Sequence, residues 1–206
     1  MESPLRDPEL NLIETFGWDG HSFVRLPRHL ARMQASAAAL GFPFRDEAFL
    51  AALPPAAANQ PLRIRVTLDR SGRFAATAAP LPANPPGWRI KLAPERLIAA
   101  DPRLAHKTTD RALYDRTRAA LPADIDEAIF LNENGEVAEG TITNFFFDHG
   151  QGLRTPPLDC GCLPGCLRAE LLETGRAREE ALAGSDLPHA RLWVGNSLRG
   201  LIRAGF

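Results

Sequence analysis

Two short stretches carry residue types suited to one kind of chemistry. His106-Lys107-Thr108-Thr109 offers an amine, and Ala138-Glu139-Gly140-Thr141-Ile142-Thr143-Asn144-Phe145 offers a carboxylate. A lysine can hold an aldehyde cofactor as a Schiff base, and a pyridine-type ring works as an electron sink only while its nitrogen stays protonated beside an acid. Taken alone, a lysine is ordinarily a solvated charge and a glutamate ordinarily a solvent-facing strand end. Setting separates these two from the rest. Lys107 stands just before a predicted helix, where partial burial and neighbouring cations favour loss of the ammonium proton. Lys91, the other lysine, lies mid-strand beside an arginine. Gly140 would let the backbone pass close to a ring, with Thr141 and Thr143 adding hydroxyls.

If that ring carries a phosphate, as pyridoxal phosphate does, donors for a dianion are needed as well. A helix start offers backbone N–H groups with partial positive charge, and Gly165-Cys166-Leu167 reads as one. Gly195-Asn196-Ser197, a loop after a strand, could add N–H and hydroxyl donors, although the same tripeptide is ordinary turn sequence. Arg32 could contribute a full charge or be one more solvated arginine on an amphipathic helix.

Composition narrows the partner. Lys plus Arg number 24 against 25 Asp plus Glu, and a net charge of -1 gives no reason to expect nucleic acid. A small-molecule amino substrate fits better. No apolar run reaches the roughly 20 residues of a membrane span, and Met1 to Asp7 lacks the basic-then-apolar order of a signal peptide, so a cytoplasmic, membrane-free protein is expected. Cys160, Cys162 and Cys166 are odd in number and crowded, which suits reduced, buried thiols; without a fourth ligand at finger-like spacing, no metal is expected.

The elements that must position these groups follow from periodicity and punctuation. A strand over 10–16 turns at Trp18-Asp19-Gly20-His21 into a second strand at 22–25, a hairpin. From Pro27, Leu30, Met33, Ala37 and Leu40 recur at helical spacing up to Gly41, with Arg28, His29 and Arg32 on the polar side. Asp46 caps a short helix to Leu53 that Pro54-Pro55 ends. A hairpin over 62–68 and 73–78 follows. Leu81 to Gly87 is proline-rich and reads as a linker, giving a smaller lobe at 1–80, a linker at 81–87 and a larger lobe at 88–206. The larger lobe reads as a strand at 88–93, a helix at about 110–120, a hairpin over 127–131 and 136–139, and a strand at 143–147. A helix from Leu163 to about Thr174 and a last strand at 191–194 complete it.

The ordered set of Leu12-Ile13-Glu14-Thr15, His29-Leu30-Ala31-Arg32-Met33, the run from Lys107 to Phe146, Thr155-Pro156-Pro157, Leu163-Pro164-Gly165 and Gly195-Asn196-Ser197 resembles fold-type IV pyridoxal phosphate enzymes over nearly the whole chain. That group comprises the class IV aminotransferases, with branched-chain and D-amino-acid transaminases, and aminodeoxychorismate lyase. The resemblance implies an α/β fold, α+β in the smaller lobe, of two lobes like D-amino-acid aminotransferase. It implies pyridoxal phosphate at their interface and a homodimer. It also implies Lys107 as the Schiff-base lysine, Glu139 at the ring nitrogen, Arg32 on the phosphate, backbone N–H groups of Cys166 and Leu167, and a side chain or N–H from Asn196 or Ser197. The smaller lobe is expected to be trimmed of its usual first hairpin. That trimming, with Gly195 to Ile202, looks most like the lyase-type domains that occur alone or fused to aminodeoxychorismate synthase. The expectation is therefore a lyase making 4-aminobenzoate and pyruvate in folate precursor synthesis, with a functional link to that synthase. A branched-chain or D-amino-acid transaminase and a non-catalytic binding subunit of the same fold are the alternatives. Arg25, Arg103, Arg111 and Arg199 could meet substrate carboxylates, and spacing does not choose among them.

Overall fold

The computed structural model describes residues 7–54, 60–81 and 83–206. The first six residues, Pro55 and Pro82, read above as lacking a leader, as a helix stop and as part of a linker, lie outside the described residues. The chain divides into two compact units: Met1–Ala83 with His106–Asp110, and Asn84–Ala105 with Arg111–Phe206.

In the first unit, β1 (Leu12–Trp18), β2 (Leu62–Leu68) and β3 (Phe74–Pro80) form an antiparallel sheet in the order β1-β2-β3, with Leu12 opposite Leu68 and Leu62 opposite Pro80. Period-two alternation sends Ile64, Val66 and Leu68 inward and Arg63 and Arg65 outward. The inward face packs with Phe16, Met33, Ala37 and Phe49 into one core, brought there by α1 (Leu26–Leu40) and α2 (Asp46–Ala52). Fully burying such side chains stabilises by roughly 1.5–3 kcal/mol each. Gly41 ends α1 with φ 72°, the left-handed geometry that a glycine adopts without strain.

Two local expectations are corrected here. The strand at 22–25 reduces to a single bridge between Trp18 and Phe23, because the Asp19 carboxylate accepts from the N–H groups of His21 and Ser22 and tightens the turn. The strand paired along β1 is β2 instead. Asp46 does not cap α2; Arg45 occupies that position, and Asp46 and Glu47 lie in the first turn, where their charge complements the helix dipole.

The second unit contains β4 (Trp88–Leu97), α3 (Ala112–Ala119), β5 (Glu127–Asn132), β6 (Val137–Gly140), β7 (Asn144–Asp148), β8 (Arg154–Thr155), α4 (Cys166–Glu173), β9 (Arg178–Glu179), β10 (Arg191–Asn196) and β11 (Gly200–Gly205). The strands run β10-β11-β4-β5-β6-β7-β8-β9, and β10 also pairs with β7, so six of them close into a barrel. Ile129, Leu131, Phe145, Phe147, Val194 and Ile202 fill one core. On β5 and β7 the alternate residues Phe130 and Phe146 pack instead with α3 and α4 side chains. Apolar runs on both strands therefore reflect burial on two faces. The strand at 191–194 is not the last: β11 follows it and joins β4 in parallel, which closes the barrel. No helix among the described residues is long and apolar enough to cross a membrane.

Candidate functional site

Lys107 belongs to the first unit, as part of a short segment laid along β1. Thr108 bridges Leu12, the Ile13 N–H donates to the Lys107 carbonyl at 2.8 Å, and the Thr109 N–H donates to the Asn11 carbonyl at 2.9 Å. The Thr109 hydroxyl accepts from the Asn11 N–H at 2.9 Å. Backbone pairing of this kind fixes the lysine's Cα, and its side chain is partly buried.

Beside it in the same unit is a buried ionic group that the sequence reading did not single out. Glu14 on β1 is 1% exposed and takes both Nε (2.8 Å) and Nη2 (2.6 Å) of Arg32, while His29 Nδ1 lies 2.5 Å from its Oε2. Burial alone would raise the Glu14 carboxyl, but the charge of Arg32 and the hydrogen bonds from Arg32 and His29 outweigh it and bring it down to about 2. Burial pushes the His29 imidazole below its ordinary value against the pull of Glu14, and the charges of Arg32 and Lys107 act in the same direction as burial. His29 is therefore not on a solvated face, as its helical neighbours suggested; it is completely buried because a carboxylate meets it there. A signal was available: Glu14 shares a strand face with Leu12 and Phe16, both core residues. Arg32, expected at a phosphate, has its fork occupied on one edge by Glu14. His106 Nδ1 lies 3.0 Å from Ser36 Oγ on α1.

Glu139, near the end of β6, lies in the second unit and is 6% exposed. Each of its oxygens has a donor: the Tyr114 hydroxyl at 2.7 Å on Oε1 and the Leu163 N–H at 2.9 Å on Oε2. The turn that follows is built around a different acid. Glu127, fully buried on β5, accepts from the N–H groups of Thr141 (3.0 Å) and Ile142 (3.2 Å), from the hydroxyls of Thr143 (3.0 Å) and Thr141, and from Arg118 (3.4 Å). The two threonine hydroxyls expected to serve a ring are thus spent on Glu127. Gly140 is also explained locally, since a Cβ there would lie 2.4 Å from Thr143 Oγ1 and 2.9 Å from Glu127 Oε2.

The expected anion donors are neighbours within this unit. Cys166 and Leu167 are the first residues of α4, both buried, and the residue at its N-cap is Gly165, which has no side chain to offer that helix start. Its approach is fixed by Asn144, whose Nδ2 donates to the Leu163 carbonyl at 2.9 Å and whose Oδ1 sits where a Cβ on Gly165 would be. Leu163 is thereby held at its N–H by Glu139 and at its carbonyl by Asn144. On the other side, a Cβ on Gly195 would lie 3.0 Å from Leu167 Cδ2, so the end of β10 packs directly on the start of α4. Asn196 donates to the Ile142 carbonyl at 3.1 Å and accepts from the N–H groups of Leu198 and Arg199, and Ser197 is buried next to it. A buried carboxylate with a donor on each oxygen, and a helix start beside a polar turn, are the kinds of group whose chemistry suits pyridoxal phosphate.

Comparison with known proteins agrees with this chemistry. The family model for amino-transferase class IV matches residues 11–204. A Schizosaccharomyces pombe protein named "Putative aminodeoxychorismate lyase" is 32% identical over 185 residues, 84% of this chain and 77% of that one. The solved structure of a "Putative amino-acid aminotransferase" from Mesorhizobium loti is 45% identical with a TM-score of 0.91, covering 96% of this chain and 99% of its own. The 4-amino-4-deoxychorismate lyase of Pseudomonas aeruginosa is 25% identical with a TM-score of 0.78, covering 94% of this chain and 82% of its own.

Proposed function

Because this chain belongs to the class IV aminotransferase family, whose members are pyridoxal phosphate-dependent enzymes, we propose that its reaction is the elimination of pyruvate from 4-amino-4-deoxychorismate to leave 4-aminobenzoate. The observation that carries this reading is the likeness to the fission-yeast lyase-type protein over most of both chains. Bound cofactor supplies an electron sink for charge that develops on the substrate. Lys107 Nζ would hold the cofactor's aldehyde and serve as proton carrier, taking the proton from the substrate ring carbon that bears the amine and delivering it to the enolpyruvyl methylene carbon as the ring C–O bond breaks and pyruvate leaves. Glu139 would meet the ring nitrogen and keep its proton in place by direct Coulomb attraction. The N–H groups of Cys166 and Leu167, with Asn196 or Ser197, would hold the phosphate, and Arg32, anchored on Glu14, would add its charge. Aromatisation of the product drives the reaction forward, so the protein's task is proton transfer and orientation. A homodimer in the cytoplasm, acting after aminodeoxychorismate synthase in folate precursor synthesis, completes the reading.

Amino-acid transamination is the second reading, favoured by the 45% identical Mesorhizobium structure. One comparison separates the two. Enzyme given enzymatically generated aminodeoxychorismate releases 4-aminobenzoate and an equal amount of pyruvate if it is the lyase. If it is instead a transaminase, it forms glutamate from 2-oxoglutarate with branched-chain or D-amino acids and leaves aminodeoxychorismate intact.

A further inference from the structure

Tyr114 is the chain's single tyrosine, and its placement on α3 is unusually constrained. Its ring meets Phe130 of β5 edge-on, with centroids 5.3 Å apart at 71°, and packs on the cluster formed by Ala128, Phe130 and Ala138. The Arg111 guanidinium carbon stands 5.1 Å from the ring centroid, and Arg111 in turn donates to the Thr141 carbonyl at 2.6 Å. A ring gripped by Phe130 and Arg111 can direct its hydroxyl to only a small region, and there it meets Glu139 Oε1 at 2.7 Å. Burial and the negative charge of Glu139 push the phenol far above its ordinary range, with Arg111 opposing, so the hydroxyl keeps its proton and acts only as a donor in this pair.

We infer that Tyr114 is a positioning residue for Glu139: its hydroxyl fixes one carboxylate oxygen and favours the ionised acid that a protonated cofactor ring nitrogen requires. The inference rests on the assignment of Glu139 to that nitrogen. A carboxylate beside a pyridine nitrogen can share its proton in two ways, as an ion pair or as two neutral groups. A donor on the carboxylate oxygen stabilises the anion, and so the ion pair. The Leu163 N–H does the same on Oε2, but it is a backbone group that only a disruptive proline would remove. The Tyr114 hydroxyl is a donor that phenylalanine removes with little change of shape. Oε1 has a second lone pair, so accepting from the phenol leaves it able to meet the ring.

The test uses the full chain loaded with pyridoxal phosphate labelled with 15N in the ring, comparing wild type, Tyr114→Phe and Glu139→Gln. In wild type the ring-nitrogen resonance lies at the protonated position. Glu139→Gln moves it to the unprotonated position, and Tyr114→Phe moves it part of the way while cofactor leaves roughly tenfold faster. A packing role alone would lower the melting temperature of Tyr114→Phe and leave the ring nitrogen where it was; that result overturns the inference. If Glu139→Gln itself fails to move the resonance, the assignment of Glu139 falls, and the inference with it. A second arm needs no phenylalanine variant. Wild type grown with 3-fluorotyrosine carries a single 19F reporter at position 114, whose resonance moves when Glu139 becomes Gln and again when cofactor is added to unsubstituted enzyme. A resonance unmoved by both overturns the proposal.

Discussion

Replacing Gly165 by alanine probes the start of α4 with a steric perturbation whose size can be read from the structure. The backbone at Gly165 has φ -69° and ψ 141°, which alanine adopts freely, so any effect comes from the methyl group alone. That Cβ would lie 1.8 Å from Asn144 Oδ1, whereas real Cβ atoms essentially never come closer than 3.0 Å, so the amide must retreat by more than 1 Å. Retreat breaks the 2.9 Å bond from Asn144 Nδ2 to the Leu163 carbonyl, a loss of about 0.5–1.5 kcal/mol for a part-buried pair. At about 2–4 °C per kcal/mol for a chain of this size, the apo-protein should melt roughly 1–6 °C lower. If the N–H groups of Cys166 and Leu167 hold the phosphate, a shifted helix start also weakens cofactor binding, on the order of 10- to 100-fold in Kd. Fluorescence titration with pyridoxal phosphate measures the second effect and thermal denaturation the first. Because the clash is with one side chain, Gly165→Ala made in an Asn144→Ala background should cost little beyond Asn144→Ala itself. Additive losses in the double variant, or a Gly165→Ala protein with unchanged melting and unchanged Kd, would refute the reasoning.

Other outcomes follow from the buried groups. Glu14 titrates near 2 when folded against 4.5 when free, so its stabilisation is complete above pH 4.5 and is lost as pH falls toward 2; it amounts to roughly 3 kcal/mol. Urea midpoints measured between pH 6 and 3 should therefore drop steeply in wild type and less in Glu14→Gln, and equal slopes would contradict this. Depression of His29 works in the same sense, because the unfolded imidazole binds its proton first as pH falls below 6.5. Glu127→Ala leaves the N–H groups of Thr141 and Ile142 and the two threonine hydroxyls without their acceptor, which should cost about 3–5 kcal/mol and lower melting by on the order of 10 °C. The Cys162 thiol is buried and pushed up to about 12, so at pH 8 it should resist alkylation in the folded protein and react once denatured; rapid labelling of native Cys162 would count against its described burial.

Much of the scaffold was legible because it is local. Alternation at Ile64, Val66 and Leu68 and the turn glycines at 41 and 135 each announce themselves within a few residues. What escaped depends on partners distant in sequence. The short apolar alternation in β11 looks like a loop until β4, over a hundred residues earlier, supplies its parallel neighbour. His29 reads as a surface residue until Glu14 is found opposite it, and Thr141 and Thr143 read as free hydroxyls until Glu127 claims both. Gly140 reads as a site of close approach, but the atoms approached are Glu127 and Thr143; Gly165 reads only as part of a helix start, and its crowding by Asn144 shows in no local pattern. Nothing in composition indicates that His106 to Asp110 would group with the first unit; that grouping comes from the bridge between Leu12 and Thr108 and its flanking hydrogen bonds.

With only two lysines in the chain, the central assignment can be tested at residue resolution. The protein is loaded with pyridoxal phosphate, reduced with borohydride, digested and mapped by mass. A phosphopyridoxyl group on Lys107, absent from Lys91 and lost in Lys107→Ala, is the result expected here. A label on Lys91, or none on either lysine in enzyme that has bound the cofactor, would contradict it.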